Sequence, residues 1–191
     1  MDGTYGAQFD FEHFAARRLL HFQLPNGTDE CRNVIGNILM LNRHKLHIIA
    51  SATFRTLSNA WPTARRFLAE DVQCLLCGCA AGDDIRHYLA CPVVISALRE
   101  HLPVVNWPDS AEEALPFHLL IRRQYSELCA VIATGTDLIF SAVQARRHGS
   151  KLVTSHLFFA RLRALSRRGS LAAGARSFGL RRVGVDAPPS G

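Results

Sequence analysis

Apolar residues along this chain recur at helical spacing rather than in alternation. Phe11, Phe14, Ala15, Leu19 and Phe22 fall partly in one register, which predicts a helix within residues 9–24. Pro25-Asn26-Gly27 is a turn, after which Thr28 or Asp29 is placed to cap a second helix. Cys31, Ile35, Ile38, Leu39, Leu46 and Ile49 form its core-facing stripe, and the pattern runs on through Thr53 and Leu57 to about residue 59. Few uncapped helices are that long, so a break is expected near Ser51. Thr63, after Trp61-Pro62, is placed to cap a short helix over residues 64–68. Beyond Pro92, residues 93–102 read as a short helix and 103–116 as a loop, in which Asp109 or Ser110 caps a turn bearing Glu112 and Glu113. Helices follow over residues 117–124 and 126–148. The second carries Leu128, Ile132, Ile139 and Val143 on one side and stops at Gly149. Thr154 or Ser155 caps a last helix to about Arg168, with Leu157, Phe158, Leu162 and Leu165 apolar. The expected fold class is mainly α: small helical domains stapled by one structural zinc site, ending in a disordered basic tail.

The staple is read from residues 74–91, which spell C-x2-C-x9-H-x3-C. Cys74 and Cys77 are three apart, so a tight turn aims both sulfurs at one point, and Gly78 supplies a residue that takes positive φ at little cost. His87 and Cys91 are four apart, one helical turn. Asp83 and Asp84 are candidate caps of that short helix, and Pro92 disfavours its continuation through Cys91. Cys74, Cys77, His87 and Cys91 are therefore the expected ligands of one Zn²⁺, closed and structural, with binding energy on the order of 10 kcal/mol becoming folding energy. Cys79 is left out, because Cys77-Gly78-Cys79 is the poorer chelating pair.

Composition adds scale and charge. A chain of 191 residues with 48% hydrophobic content suits one domain or two small ones with a real core. The expected division is residues 1–60 helical, 61–102 metal-binding, 103–168 helical and 169–191 a basic disordered tail. The apolar stretch 129–143 contains Thr134, Thr136 and Asp137 and reads as too short and too polar to span a bilayer, so no membrane partner is expected. Cys31 and Cys129 belong to no motif and are expected in the core of an intracellular protein. The net charge is +6, and residues 146–182 hold ten Arg or Lys and no Asp or Glu, which favours a polyanion partner, either nucleic acid or an acidic membrane surface, and RNA or DNA is the one expected. Arg65, Arg66 and Arg86 beside the metal unit, and Arg161, Arg163, Arg167 and Arg168 further on, are the candidate phosphate contacts. His44-x2-His47 reads as a solvated face, and no nucleophile elbow or phosphate-cradling glycine loop is found.

From Trp61 to Cys91 the chain resembles the zinc-binding domain downstream of the polymerase in non-LTR (LINE-type) retrotransposon reverse transcriptases. The residues that carry the resemblance are Trp61-Pro62-Thr63-Ala64-Arg65-Arg66-Phe67, Cys74-x2-Cys77-Gly78, Asp83-Asp84 and His87-Tyr88-Leu89-x-Cys91-Pro92. Ile85-Arg86 before the histidine, and the extra Cys79, depart from the family pattern. The resemblance implies the same four zinc ligands, a nuclear location, and a parent element whose polymerase domain would be a partner. Gly82-Asp83-Asp84 lies inside the metal loop and lacks the hydrophobic hairpin and second carboxylate cluster of a polymerase site, so a non-catalytic chain is expected. The competing classes are a zinc-stapled helical protein-interaction adaptor and a degenerate relic without selected function.

Overall fold

The computed structural model describes residues 10–63, 73–80, 82–122 and 126–167, with Ser126, Ser166 and Arg167 described as backbone. Among these residues there are eight helices and no strand, in the order α1 (Phe11–His21), α2 (Thr28–Arg43), α3 (His47–Leu57), α4 (Ile85–Ala90), α5 (Pro92–His101), α6 (Ala111–His118), α7 (Ser126–Arg147) and α8 (Thr154–Arg167). The short helix expected at 64–68 and the tail expected from 169 lie outside the described residues.

The fold is built around α7. Every residue from Cys129 to Ile139 is buried, so this helix has no solvated side there. It packs against α2, α3, α4, α6 and α8. The stretch from Glu127 to Arg147 is 21 residues long, its most apolar 18-residue window has a mean hydropathy of 1.5, and by length and composition alone it could cross a bilayer. The helix is longer than the apolar stretch 129–143 read from the sequence. What marks it as a core helix is burial, since 72% of its most apolar window lies inside the protein. Three of its buried polar residues are paired, while Gln144 Nε2 and Arg146 Nε are buried without a hydrogen-bond partner among the described residues. Thr134 and Thr136 donate to the carbonyls of Ala130 and Ile132, and Asp137 receives both Nε and Nη2 of Arg161 at 2.7 and 2.9 Å. One hydrophobic core runs from Ala15 on α1 to Leu165 on α8 and takes in Cys74, Tyr88 and Cys91 of the metal unit.

Several expected boundaries move. The break in the long N-terminal pattern falls at residues 44–46, not near Ser51. Lys45 takes φ 60° there, and its N–H and that of Leu46 donate to the carbonyls of Asn42 and Leu41, ending α2. Leu39 is 45% exposed, while Val34 and Leu41 face the core instead. Gly27, not Thr28 or Asp29, holds the cap position of α2, without a side-chain bond. The expected loop 103–116 is helical from Ala111, with Ser110 capping through the Glu113 N–H and Pro116 inside the helix. The expected helix 117–124 instead ends α6 at His118, with Leu120 left-handed at φ 58°. Neither candidate cap of α8 acts as one: the Thr154 hydroxyl is buried without a hydrogen-bond partner among the described residues. The Ser155 hydroxyl instead bonds Glu100 Oε2 at 2.8 Å and His101 Nε2 at 2.9 Å, tying α8 to the end of α5.

Candidate metal centre

The centre begins as a turn. The Gly78 N–H donates to the Cys74 carbonyl at 2.8 Å, and Gly78 takes φ 73° with open space where a Cβ would be. The Cys74 N–H donates across the loop to the Cys79 carbonyl at 3.0 Å. This closure turns the Leu76 and Cys77 amides toward Cys74 Sγ, at 3.4 and 3.5 Å. Such N–H groups favour a thiolate at that sulfur before any cation arrives.

The second ligand pair comes from α4. Asp84 caps it, accepting from the Arg86 N–H at 2.9 Å, and His87 sits in its last turn. The helix ends at Ala90, and Cys91 is extended with ψ 127°, as Pro92 requires of its predecessor. Pro92 then opens α5 at a position where its missing N–H costs nothing. Cys91 is therefore delivered by the junction between two helices rather than by a helix face.

The ligand atoms of Cys74, Cys77, His87 and Cys91 all lie within 4.8 Å of one another. His87 Nε2 is 3.4 Å from Cys77 Sγ. In a tetrahedral centre with bonds of about 2.3 Å to sulfur and about 2.0–2.1 Å to nitrogen, neighbouring ligand atoms lie about 3.5–3.8 Å apart. Three thiols and one imidazole at this separation fit one four-coordinate metal ion. Cys74 and Cys91 are buried, while Cys77 and His87 are partly exposed.

The thiols are electrostatically unequal. The Cys91 thiol donates to Cys74 and, with the two loop amides, draws the Cys74 thiol down to about 5 against the opposing effect of burial. The same contact, together with burial, pushes Cys91 up, and burial pushes Cys77 up. The surroundings thus favour negative charge at Cys74 and disfavour it at Cys91, and a bound cation would displace the remaining thiol protons.

Four residues that the spacing did not single out fix the centre in the fold. Tyr88 on α4 donates from its hydroxyl to Asp83 at 2.5 Å and accepts from the Leu75 N–H at 3.4 Å, joining loop to helix. Asp83, read from the sequence as a candidate cap, is buried and bound by Arg147 Nη2 at 2.6 and 2.8 Å, which ties the unit to α7. Trp61, wholly buried, lies between Tyr88 and Phe140 with ring centroids 6.4 and 5.4 Å away. Cys79, set aside as a ligand, places its sulfur 3.4 Å from His87 Nε2. An uncommitted thiol two residues past a ligand was visible in the sequence. The remote Arg147 and Phe140 had no local signal.

Of the candidate phosphate contacts, the side chains of Arg86, Arg161 and Arg163 lie among the described residues. Arg86 Nη2 donates to the Phe22 carbonyl at 2.6 Å, and Arg86 lines a cavity of about 440 Å³ of mixed polarity with His21, Phe22, Asn59, Asp84 and Ile85. Arg161 is engaged by Asp137, whose carboxylate raises its pKa further. Arg163 is exposed on α8. Arg65, Arg66, Arg168 and the side chain of Arg167 lie outside the described residues. Comparison with protein-family models, with curated proteins and with solved structures finds no match to this chain.

Proposed function

We propose that this chain is a non-catalytic nucleic-acid-binding module organised by one structural Zn²⁺. The observation that carries the metal is the convergence of Cys74, Cys77, His87 and Cys91 within 4.8 Å, two of them buried in the common core. Three sulfurs and one imidazole suit zinc better than magnesium or calcium, which prefer oxygen. Bound there, zinc supplies a fixed divalent charge and no chemistry, since all four positions are taken by the protein.

The nucleic-acid reading rests on charge. The net charge is +6, and residues 146–182 hold ten Arg or Lys without an acidic residue. Arg163 is exposed on the fold, and Arg86 lines the cavity beside α4. With Arg65, Arg66, Arg167, Arg168 and the residues that follow, they would meet phosphates of RNA or DNA. On the resemblance to the zinc-binding region of non-LTR reverse transcriptases, the module would act in the nucleus. There it would hold template or target against a polymerase domain on the parent protein.

A second reading is favoured by a separate observation. Arg147 and Arg161 spend their guanidinium groups on Asp83 and Asp137 inside the fold, which removes two cations from any phosphate surface. A zinc-stapled helical adaptor for another protein would use the same frame with an incidental basic tail.

Zinc-loaded protein titrated with single-stranded RNA and with duplex DNA across a salt series separates these readings, with Cys91→Ser as control. Binding with a steep salt dependence, lost in Cys91→Ser, is the expected result. Unchanged binding in the variant would place affinity in the arginine-rich segment alone. No binding by folded, zinc-loaded protein would overturn the reading in favour of the adaptor.

A further inference from the structure

The centre offers five donors, not four. Cys74 and Cys91 are buried, and each is anchored on both sides. The Cys74 N–H and carbonyl are held by Cys79 and Gly78, and Cys91 is fixed at the junction of α4 and α5. The other half is looser. Cys77, Cys79 and His87 are all partly exposed. Both Cys77 Sγ and Cys79 Sγ lie 3.4 Å from His87 Nε2. Each of these separations matches, to within a few tenths of an ångström, the edge of about 3.5–3.8 Å between neighbouring ligands of a tetrahedral metal. Cys79 does not belong to the set of atoms that converge within 4.8 Å, so it is not a simultaneous fifth ligand. Gly78, at φ 73° with open space where a Cβ would be, separates the two thiols in the chain.

From this geometry we infer that Cys79 is a reserve ligand: two positions of the centre are fixed on Cys74 and Cys91, and three donors, Cys77, Cys79 and His87, share the remaining two. The consequence is tolerance. Withdrawal of Cys77 or His87, by substitution or by chemical modification of the side chain, leaves four donors, and Cys79 completes the shell without repacking the buried half. A site with only four donors would instead open a coordination position to water. The inference rests on the metal reading above.

Co²⁺ in place of zinc reports both, because its sulfur-to-metal charge-transfer band grows with the number of thiolates. Wild-type protein is expected to bind one Co²⁺ with a three-thiolate band, and Cys79→Ser to leave that band unchanged. His87→Ala is expected to keep one Co²⁺ per chain with the band raised by about a third, three thiolates becoming four. His87→Ala/Cys79→Ser is expected to fall back to three. Cys77→Ser, a second route if His87→Ala does not fold, is expected to hold three thiolates, and Cys77→Ser/Cys79→Ser only two. A His87→Ala band no stronger than wild type would overturn the inference while leaving the metal reading intact. So would a two-thiolate band in Cys77→Ser. A Cys79→Ser band weaker than wild type would make Cys79 a standing ligand and also overturn it. Wild-type protein that takes up no Co²⁺ and no Zn²⁺ would remove the metal reading itself.

Discussion

Two side-chain environments in the core carry sharp expectations. Gly135 lies on α7 where a Cβ would sit 2.4 Å from Trp107 Cη2, 2.9 Å from its Cζ3 and 3.2 Å from Leu98 Cδ2. Trp107 is buried, stacks on His118 and donates from Nε1 to the Leu102 carbonyl at 3.0 Å, so it has nowhere to retreat. Gly36 lies on α2 with nothing within 4 Å of the same built atom. Helix propensity alone would make alanine better at both sites by about 0.5–1 kcal/mol. Gly36→Ala is therefore expected to raise the urea midpoint, and Gly135→Ala to lower stability by about 1–3 kcal/mol through overpacking. Equal effects at the two sites would refute the close approach. His118, wholly buried, supplies the second test. The Thr136 hydroxyl gives its proton to the Ile132 carbonyl, so at 2.9 Å it must accept from His118 Nδ1, leaving Nε2 as the unprotonated nitrogen. Burial draws its pKa down to about 3, below the ordinary 6.5. Between those values the unfolded chain binds the extra proton. Stability from the neutral ring is thus full above about pH 6.5 and falls as pH drops toward 3, by at most about 1.4 kcal/mol per unit. Denaturant titrations from pH 7 to pH 4 should show a shallower pH dependence in His118→Asn, which keeps a donor toward Thr136 and removes the titration. An unaltered slope would assign the acid sensitivity to other groups.

At the scale of elements, helix ends decide what the sequence reveals. Five helices close with the same pair of bonds around one left-handed residue: Gln23 after α1, Lys45 after α2, Asn59 after α3, Leu120 after α6 and Gly149 after α7. Gly149 was legible because glycine is the usual occupant of that position, and α7 ends beside it as expected. Gln23, Lys45 and Leu120 carry no such signal, which is why the break in the long N-terminal pattern was sought at Ser51 and why residues 117–124 read as helix. Tertiary contacts stand behind one of these turns. Asn33 and Asn37 of α2 donate to the carbonyls of Ile121 and Leu120, fixing a leucine in a conformation it disfavours. The metal loop was legible for the opposite reason, since ligand spacing, Gly78, Asp84 and Pro92 are all local. Its attachment through Asp83 to Arg147, 64 residues away, was not. Lys45 is exposed and left-handed at φ 60°, so Lys45→Gly removes strain without removing packing. It is expected to stabilise the protein by about 0.5–1 kcal/mol, measured as a higher denaturant midpoint at unchanged slope. A loss of stability would mean that the lysine stem contributes more than the backbone strain costs.

For the whole molecule, the candidate metal centre is a part of the core rather than an appendage. Cys74, Cys91, Tyr88 and Leu89 are all at most 2% exposed, and they share the cluster that holds α7 and α8. α4 packs on α5, α6 and α7, Trp61 bridges Tyr88 to Phe140, and Asp83 binds Arg147. A ligand set worth several kcal/mol at that position acts on the stability of everything it touches. Yet α1, α2, α3, α7 and α8 also pack on one another, so helical structure is not expected to depend on the metal in the way it does for a module of a few dozen residues. Stripping the metal with a chelator is therefore expected to leave most of the far-ultraviolet circular dichroism at 25 °C and to lower Tm by about 10 °C or more, at about 2–4 °C per kcal/mol for a domain of this size. Hydrogen exchange should locate the loss first in the amides of residues 74–91, then in α6, which α4 covers, and last in α3 and α7. Cys74→Ser should reproduce the chelated state and no longer respond to added zinc. An identical Tm with zinc and with chelator would refute the structural role, whereas complete loss of helicity on chelation would show that the remaining helices cannot hold their shared core without it.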